Sequence, residues 1–237
     1  MWQEALNKFI QKYKKNKNVE AILLVGSYAV NNEDKYSDID VYIIMNNNIK
    51  HRKRGNKRID NYLIEYFVNP LYKIPAYIKE DKRGHGGPMA NMIINCKVLY
   101  DKNGIIPKLK KQAKKALSKK NKKDNLKYYA AWCAYDDYQD AKYHNDMQYY
   151  LCLKYLLEAY LYNNDYQIPP ELKYERFFKD EEYRKKYNFH KFPSNEFNIL
   201  AINCFNKPNK NNLKKLYEYV IQDGNFDINN FELKNKL

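Results

Sequence analysis

The segment Leu23–Met45, LLVGSYAVNNEDKYSDIDVYIIM, constrains this chain more than any other. It reads as an apolar strand, a Gly26-Ser27 turn, a polar stretch, and then Asp38 and Asp40 at the entry to a second apolar strand. Carboxylates one residue apart on a strand point to the same face. Two like charges beneath a hydrophobic ladder are costly unless a cation sits between them. A divalent metal is the economical explanation; the alternative is a surface Asp-x-Asp on a hairpin that follows a chance Gly-Ser.

The residues before the aspartates suit a phosphate tail. Gly26 lets the backbone approach closely, Ser27 offers a hydroxyl and an amide, and Tyr28 to Asn31 can begin a helix whose free N–H groups favour an anion. Mg²⁺ takes one or two protein carboxylates and completes its shell from water and substrate phosphates. The order Gly26-Ser27, ten residues, Asp38-Ile39-Asp40, with apolar strands on both sides, resembles the signature of the DNA polymerase beta-like nucleotidyltransferase superfamily. That resemblance implies nucleotide binding at Gly26, Ser27 and Ser37, and metal binding and catalysis at Asp38 and Asp40, with two Mg²⁺ ions and a nucleoside triphosphate donor such as ATP.

The family also uses a third carboxylate on a neighbouring strand. Glu65 is the candidate, because it is the one charge in the apolar and aromatic run Asn61-Tyr-Leu-Ile-Glu-Tyr-Phe-Val68. Asp60 competes, but beside Lys57 and Arg58 a solvated salt bridge explains it. Glu65 is expected as a metal ligand, as the base for the acceptor hydroxyl, or as both.

Composition sets outer limits. The chain has 237 residues, of which 44% are hydrophobic, enough for real cores in one large domain or two modest ones. A net charge of +15 suits an acidic ligand such as ATP and would also suit RNA. The Lys, Asn, Tyr and Ile bias runs through the whole chain, however, so charge alone discriminates little. Cys96, Cys133, Cys152 and Cys204 lack metal-ligand or disulfide spacing and read as buried thiols. Neither a signal peptide nor a membrane-length apolar run is evident, which makes a cytoplasmic protein the expectation.

The chain divides by pattern into an α/β half and an all-α half. A helix is predicted over 2–15, strands over 19–25, 39–45, 59–68 and 97–100, helices over 71–80 and 89–95, and a polar connector over 46–57. These are expected to form an α/β domain with a small mixed sheet over residues 1–105, which the resemblance implies is the nucleotidyltransferase catalytic domain. A lysine-dense helix and linker follows at 106–124, then a helical bundle at 125–237 for acceptor binding or dimerisation, with helices at 125–143, 146–163, 171–186, 194–206 and 209–223. This plan is similar to that of the kanamycin and lincosamide nucleotidyltransferases and of the minimal nucleotidyltransferases that partner HEPN proteins.

Within the second half, the helical stretch Met147–Tyr162 is apolar nearly all round except for Lys154 and Glu158, its only charges, which share a face at i,i+4. They read either as an ion pair or as a nucleotide-binding cation and an acceptor-side base. Asp136, Asp137 and Asp140 form an acidic face, solvated or lining a wall for a cationic acceptor. The loop Lys82–Pro88 is basic and glycine-rich but lacks a P-loop's Gly-Lys-Ser/Thr, and Arg184 with His190 matches a HEPN spacing that arises easily by chance. The expected activity is transfer of a nucleoside monophosphate, AMP first, to a hydroxyl of a small molecule such as an aminoglycoside or lincosamide. Modification of a tRNA end or protein side chain is the alternative, and a non-catalytic nucleotide-binding module the third reading. RNA is a possible but disfavoured partner, and a monomer or homodimer is expected.

Overall fold

A computed structural model describes residues 1–81, 88–118, 124–140, 146–169, 173–189, 191–222 and 224–226. Two compact units emerge. The first comprises Met1–Lys82, Gly87–Lys119 and Lys186–Asn188, and the second comprises chiefly Lys120–Lys185 and Phe189–Leu237.

The first unit is built on a sheet of β1 (Val19–Val25), β2 (Ile39–Met45), β3 (Lys53–Ile59), β4 (Tyr62–Pro70) and β5 (Lys97–Asp101), in the order β3-β4-β2-β1-β5. β2 runs parallel to β4, and the other pairs are antiparallel. Both faces of β1 and β2 are covered, which is why their sequences, apart from Glu20 and Asp40, are apolar runs rather than alternating ones. On one face α1 (Trp2–Lys14) sets Leu6, Phe9 and Ile10 against Ile22, Val41 and Ile64. On the other, α3 (Lys73–Asp81), α4 (Pro88–Asn95) and α5 (Ile106–Leu117) bring Ile74, Ile93 and Leu109 onto Leu23, Tyr42 and Ile44. The lysine-dense helix is thus amphipathic: Ile106, Leu109, Ala113 and Ala116 are buried while its lysines face outward. Asp101 fixes its start by accepting from the amides of Ile105 and Ile106 at 2.9 and 3.0 Å.

The main correction concerns residues 46–57, expected as a polar connector. Its end, 53–57, together with Arg58 and Ile59, is β3, KRGNKRI, hairpinned onto β4 through Asp60, which takes φ 51°. Being an outermost strand, β3 buries no face fully and carries no apolar alternation, so its sequence looks like a loop. Consequently β4 begins at Tyr62 rather than at residue 59. Gly55 leaves room for the Tyr66 ring: a Cβ there would stand 2.7 Å from its hydroxyl.

The second unit is helical among its described residues. α6 (Asp124–Asp140) packs on α7 (Asp146–Asn163), followed by α8 (Tyr174–Lys179), α9 (Glu181–Lys186), α10 (Asn195–Asn206) and α11 (Lys210–Tyr217), which passes into a π-helical turn at Glu218–Gln222. The single helix expected over 171–186 is broken at Asp180, whose extended backbone ends α8 and whose side chain accepts from the Tyr183 amide that opens α9. Buried Arg184 donates to the carbonyls of Phe177 and Phe178 and lies over the Phe192 ring. Its position is therefore explained by fold, while His190 and residues 82–87 of the basic loop lie outside the described residues. The four cysteines are free and buried. Among the described residues no helix is long and apolar enough to cross a membrane.

Candidate active site

The parallel register of β2 and β4 sets Asp40 opposite Glu65, and Val25 of β1 flanks Asp40 on its other side. Directly opposed residues on adjacent strands face the same way, so both carboxylates emerge on the face that carries Tyr42 and Phe67. Asp38 precedes β2 by one residue. One carboxylate oxygen from each of Asp38, Asp40 and Glu65 lies within 4.8 Å of the others. All three are partly exposed, so a ligand can reach them.

Three hard oxygen donors converging from two strands and a loop fit a divalent cation of the Mg²⁺ type. The fit extends to Gly26, at φ 68°, which ends β1 and opens a single helical turn, α2 (Gly26–Ala29). A Cβ at position 26 would stand 2.1 Å from Oδ2 of Asp40. The backbone is therefore pressed against the carboxylate in a conformation that only glycine adopts at little cost. The helix expected from Tyr28 onward is only this one turn, and Asn31 already takes φ 53°. A macrodipole is not available to an anion here. What the turn offers instead is the Ser27 amide and hydroxyl, and that hydroxyl makes no hydrogen bond among the described residues. Lys97 of β5 buttresses the turn by donating to the Tyr28 carbonyl at 3.2 Å and to Oδ1 of Asn31 at 2.6 Å. Burial first, then the carboxylate Glu33, the Tyr62 phenol and the carboxylates Asp34 and Asp38, push the Tyr28 phenol above its ordinary range.

Ser37, expected at the nucleotide, is engaged locally. Its hydroxyl accepts from the Asp34 amide at 2.9 Å and donates to Oδ1 of Asp34 at 3.3 Å, closing the loop that delivers Asp38. Asp60 sits at the β3–β4 turn and pairs with Lys8 at 3.0 Å rather than with Lys57 or Arg58. Glu65 has a partner that the sequence reading missed. Nη2 and Nε of Arg54 donate to its Oε1 at 2.7 and 3.0 Å, and the guanidinium lies 4.9 Å from the Phe67 ring centroid. The available signal was the Asp60-Asn61 turn between Lys53–Ile59 and the apolar strand, a hairpin pattern hidden by the charge of its first arm.

In the second unit, Lys154 and Glu158 both lie on α7 and are half-buried. Oε1 of Glu158 accepts from the Tyr174 hydroxyl at 2.9 Å, and Lys154 lies over the Tyr155 ring. Burial, with Asp136 and Asp140 as like-charged neighbours, raises the Asp137 carboxyl above its ordinary range, opposed in part by Lys154.

Residues 7–104 match the family described as Polymerase beta, Nucleotidyltransferase. The strand-borne triad and the Gly26-Ser27 turn both lie inside that span. Among solved structures, the nucleotidyltransferase-like protein from Exiguobacterium sibiricum 255-15 is similar over 94% of this chain and 75% of its own, with 11% identity and a TM-score of 0.46. No curated protein matches the chain.

Proposed function

We propose that this protein is a Mg²⁺-dependent nucleotidyltransferase that moves a nucleoside monophosphate, AMP from ATP as the first candidate, onto an acceptor hydroxyl and releases pyrophosphate. The observation that carries the proposal is the convergence of Asp38, Asp40 and Glu65 within 4.8 Å beside a glycine that no other residue can replace without displacing Asp40. When bound there, two Mg²⁺ ions would neutralise phosphate charge and polarise the α phosphorus. The protein's own groups do the rest. Asp38, Asp40 and Glu65 would hold the ions. Gly26 admits the phosphate tail against the backbone, and Ser27 supplies an amide and a free hydroxyl to its oxygens. Glu65 takes the proton of the acceptor hydroxyl. Arg54 fixes the orientation of Glu65.

Catalysis is assigned to residues 1–105, a connecting role to 106–124, and acceptor binding or dimerisation to 125–237. Within the last, Lys154 is proposed as a cation for the nucleotide and Glu158 as an acceptor-side base, on the strength of their shared face of α7. A small hydroxyl-bearing acceptor of the aminoglycoside or lincosamide class has its support in the large helical half and in the acidic face of Asp136, Asp137 and Asp140 on α6. Modification of a macromolecule has its support in the basic outer strand of the sheet. A donor such as ATP fits a cytoplasmic reaction.

The test is Mg²⁺-dependent release of pyrophosphate from ATP in the presence of a cell extract that contains small molecules, tRNA and protein. Release by the wild type and none by Asp40→Asn supports the proposal; equal release by both would sink it.

A further inference from the structure

The strand order lays the site out in a line. Gly26 and Ser27 follow β1, Asp40 is on β2, Glu65 on β4, and β3 is outermost. On the reading of the site proposed above, pyrophosphate leaves towards Gly26 and Ser27. In-line displacement then requires the acceptor oxygen to arrive from the opposite side, where β4 and β3 lie. The acceptor oxygen forms its bond to the α phosphorus as the bond to the α–β bridging oxygen breaks. The hydroxyl proton passes to Glu65, and the electron pair departs on pyrophosphate.

On that side β3 presents Arg54, Asn56 and Arg58, in register with Phe67, Glu65 and Leu63 and hence on the carboxylate face of the sheet. All three are exposed. Arg54 is held in place by its bonds to Glu65 and by stacking on Phe67. A guanidinium carries five N–H donors, and those of Arg54 not directed at Glu65 meet no acceptor among the described residues. Arg58 forms no ion pair among the described residues.

Charges on an outer strand also discourage edge-to-edge pairing, but Lys53 and Lys57, in register with Val68 and Ile64, meet that need from the opposite face. Arg54 on the base and Arg58 on the same face of β3 make a poor lining for a polycation. They suit planar, bidentate recognition of phosphate. We infer that the acceptor carries phosphate next to its reacting hydroxyl, and that Arg54 and Arg58 on β3 bind that phosphate. A nucleic-acid strand end and a phosphorylated sugar share this chemistry.

The test uses the full chain with Mg²⁺ and α-³²P ATP against three acceptors: a single-stranded RNA oligonucleotide with a free 3′ hydroxyl, a mixture of hexose phosphates, and a panel of aminoglycosides. Label is expected in one of the phosphate-bearing arms, and which arm identifies the source. In that arm Arg58→Gln, an exposed substitution that leaves the core untouched, should raise the acceptor KM about tenfold and leave the KM for ATP unchanged. If RNA is the acceptor, the slope of log affinity against log salt should fall by roughly 0.7 for the lost contact. Label confined to the aminoglycosides, an unchanged acceptor KM in Arg58→Gln, or no label in either phosphate-bearing arm overturns the inference. Calorimetric titration with Mg²⁺ and ATP separates the two claims. Binding by the wild type that is lost in Asp40→Asn leaves the nucleotidyltransferase reading standing, whereas no binding by the wild type removes both.

Discussion

Gly26 and Asp40 are in direct steric contact: a Cβ added at position 26 would stand 2.1 Å from Oδ2 of Asp40 and 3.0 Å from its carboxyl carbon. The positive φ of 68° adds strain of about 1–2 kcal/mol for any side-chain-bearing residue. Gly26→Ala must therefore push Asp40 out of the triad. The variant should fold, with a thermal midpoint lowered by roughly 2–8 °C, while transfer activity falls about 100-fold or more. Parallel measurement of melting and turnover checks this, and full activity at a lowered midpoint would contradict it.

Asp40→Asn keeps the shape of the side chain and removes its charge. With Glu65 opposite and Asp38 nearby, the triad would then hold one negative charge fewer. Mn²⁺ binding, read by electron paramagnetic resonance as a probe for the proposed Mg²⁺ site, should weaken by about tenfold or more, with the far-ultraviolet circular dichroism unchanged. Binding equal to that of the wild type would show that the ion is held elsewhere.

Arg54 and Glu65 form a pair whose arginine side chain is 69% exposed and whose glutamate is 25% exposed. Such a pair adds only about 0–1 kcal/mol to stability, so its consequence lies in where it holds Glu65. Arg54→Gln should lower kcat by about 10- to 100-fold and shift the thermal midpoint by at most a few degrees. Arg54→Lys, which keeps the charge but not the two-nitrogen fork, should recover part of kcat. A loss of stability with no change in kcat would assign the pair to the fold instead.

Asp137 gives the helical unit a pH dependence. Burial, then Asp136 and Asp140, raise its folded-state pKa above the ordinary 3.8. The folded chain thus favours the protonated form, and the stabilisation present below the unfolded value is lost as pH rises through the raised one. Asp137→Asn should match the wild type in melting temperature at about pH 3 and exceed it at about pH 7. A variant that is less stable at neutral pH would reveal a net favourable interaction of the carboxylate, with Lys154 the nearest candidate.

The sequence determined the strand-turn-strand centre of this protein. Val19–Val25 and Ile39–Met45 are apolar apart from Glu20 and Asp40 because both faces of these strands are covered, and such runs are legible without a structure. Gly26, Asp38, Asp40 and Glu65 were legible for the complementary reason that charge and glycine are conspicuous in apolar surroundings. Helix boundaries in the second half were mostly legible from apolar periodicity, except at Asp180, where a local cap divides what the pattern alone would continue. Tertiary structure alone decided the rest. β3 has no apolar code because an outer strand exposes its residues on both faces, so only pairing with β4 identifies it as a strand. That pairing brings Arg54 to Glu65 across 11 residues of sequence, and the parallel register of β2 and β4 brings Asp40 to Glu65. Register is a relation between strands, set by packing on both faces of the sheet, and no single strand's sequence contains it.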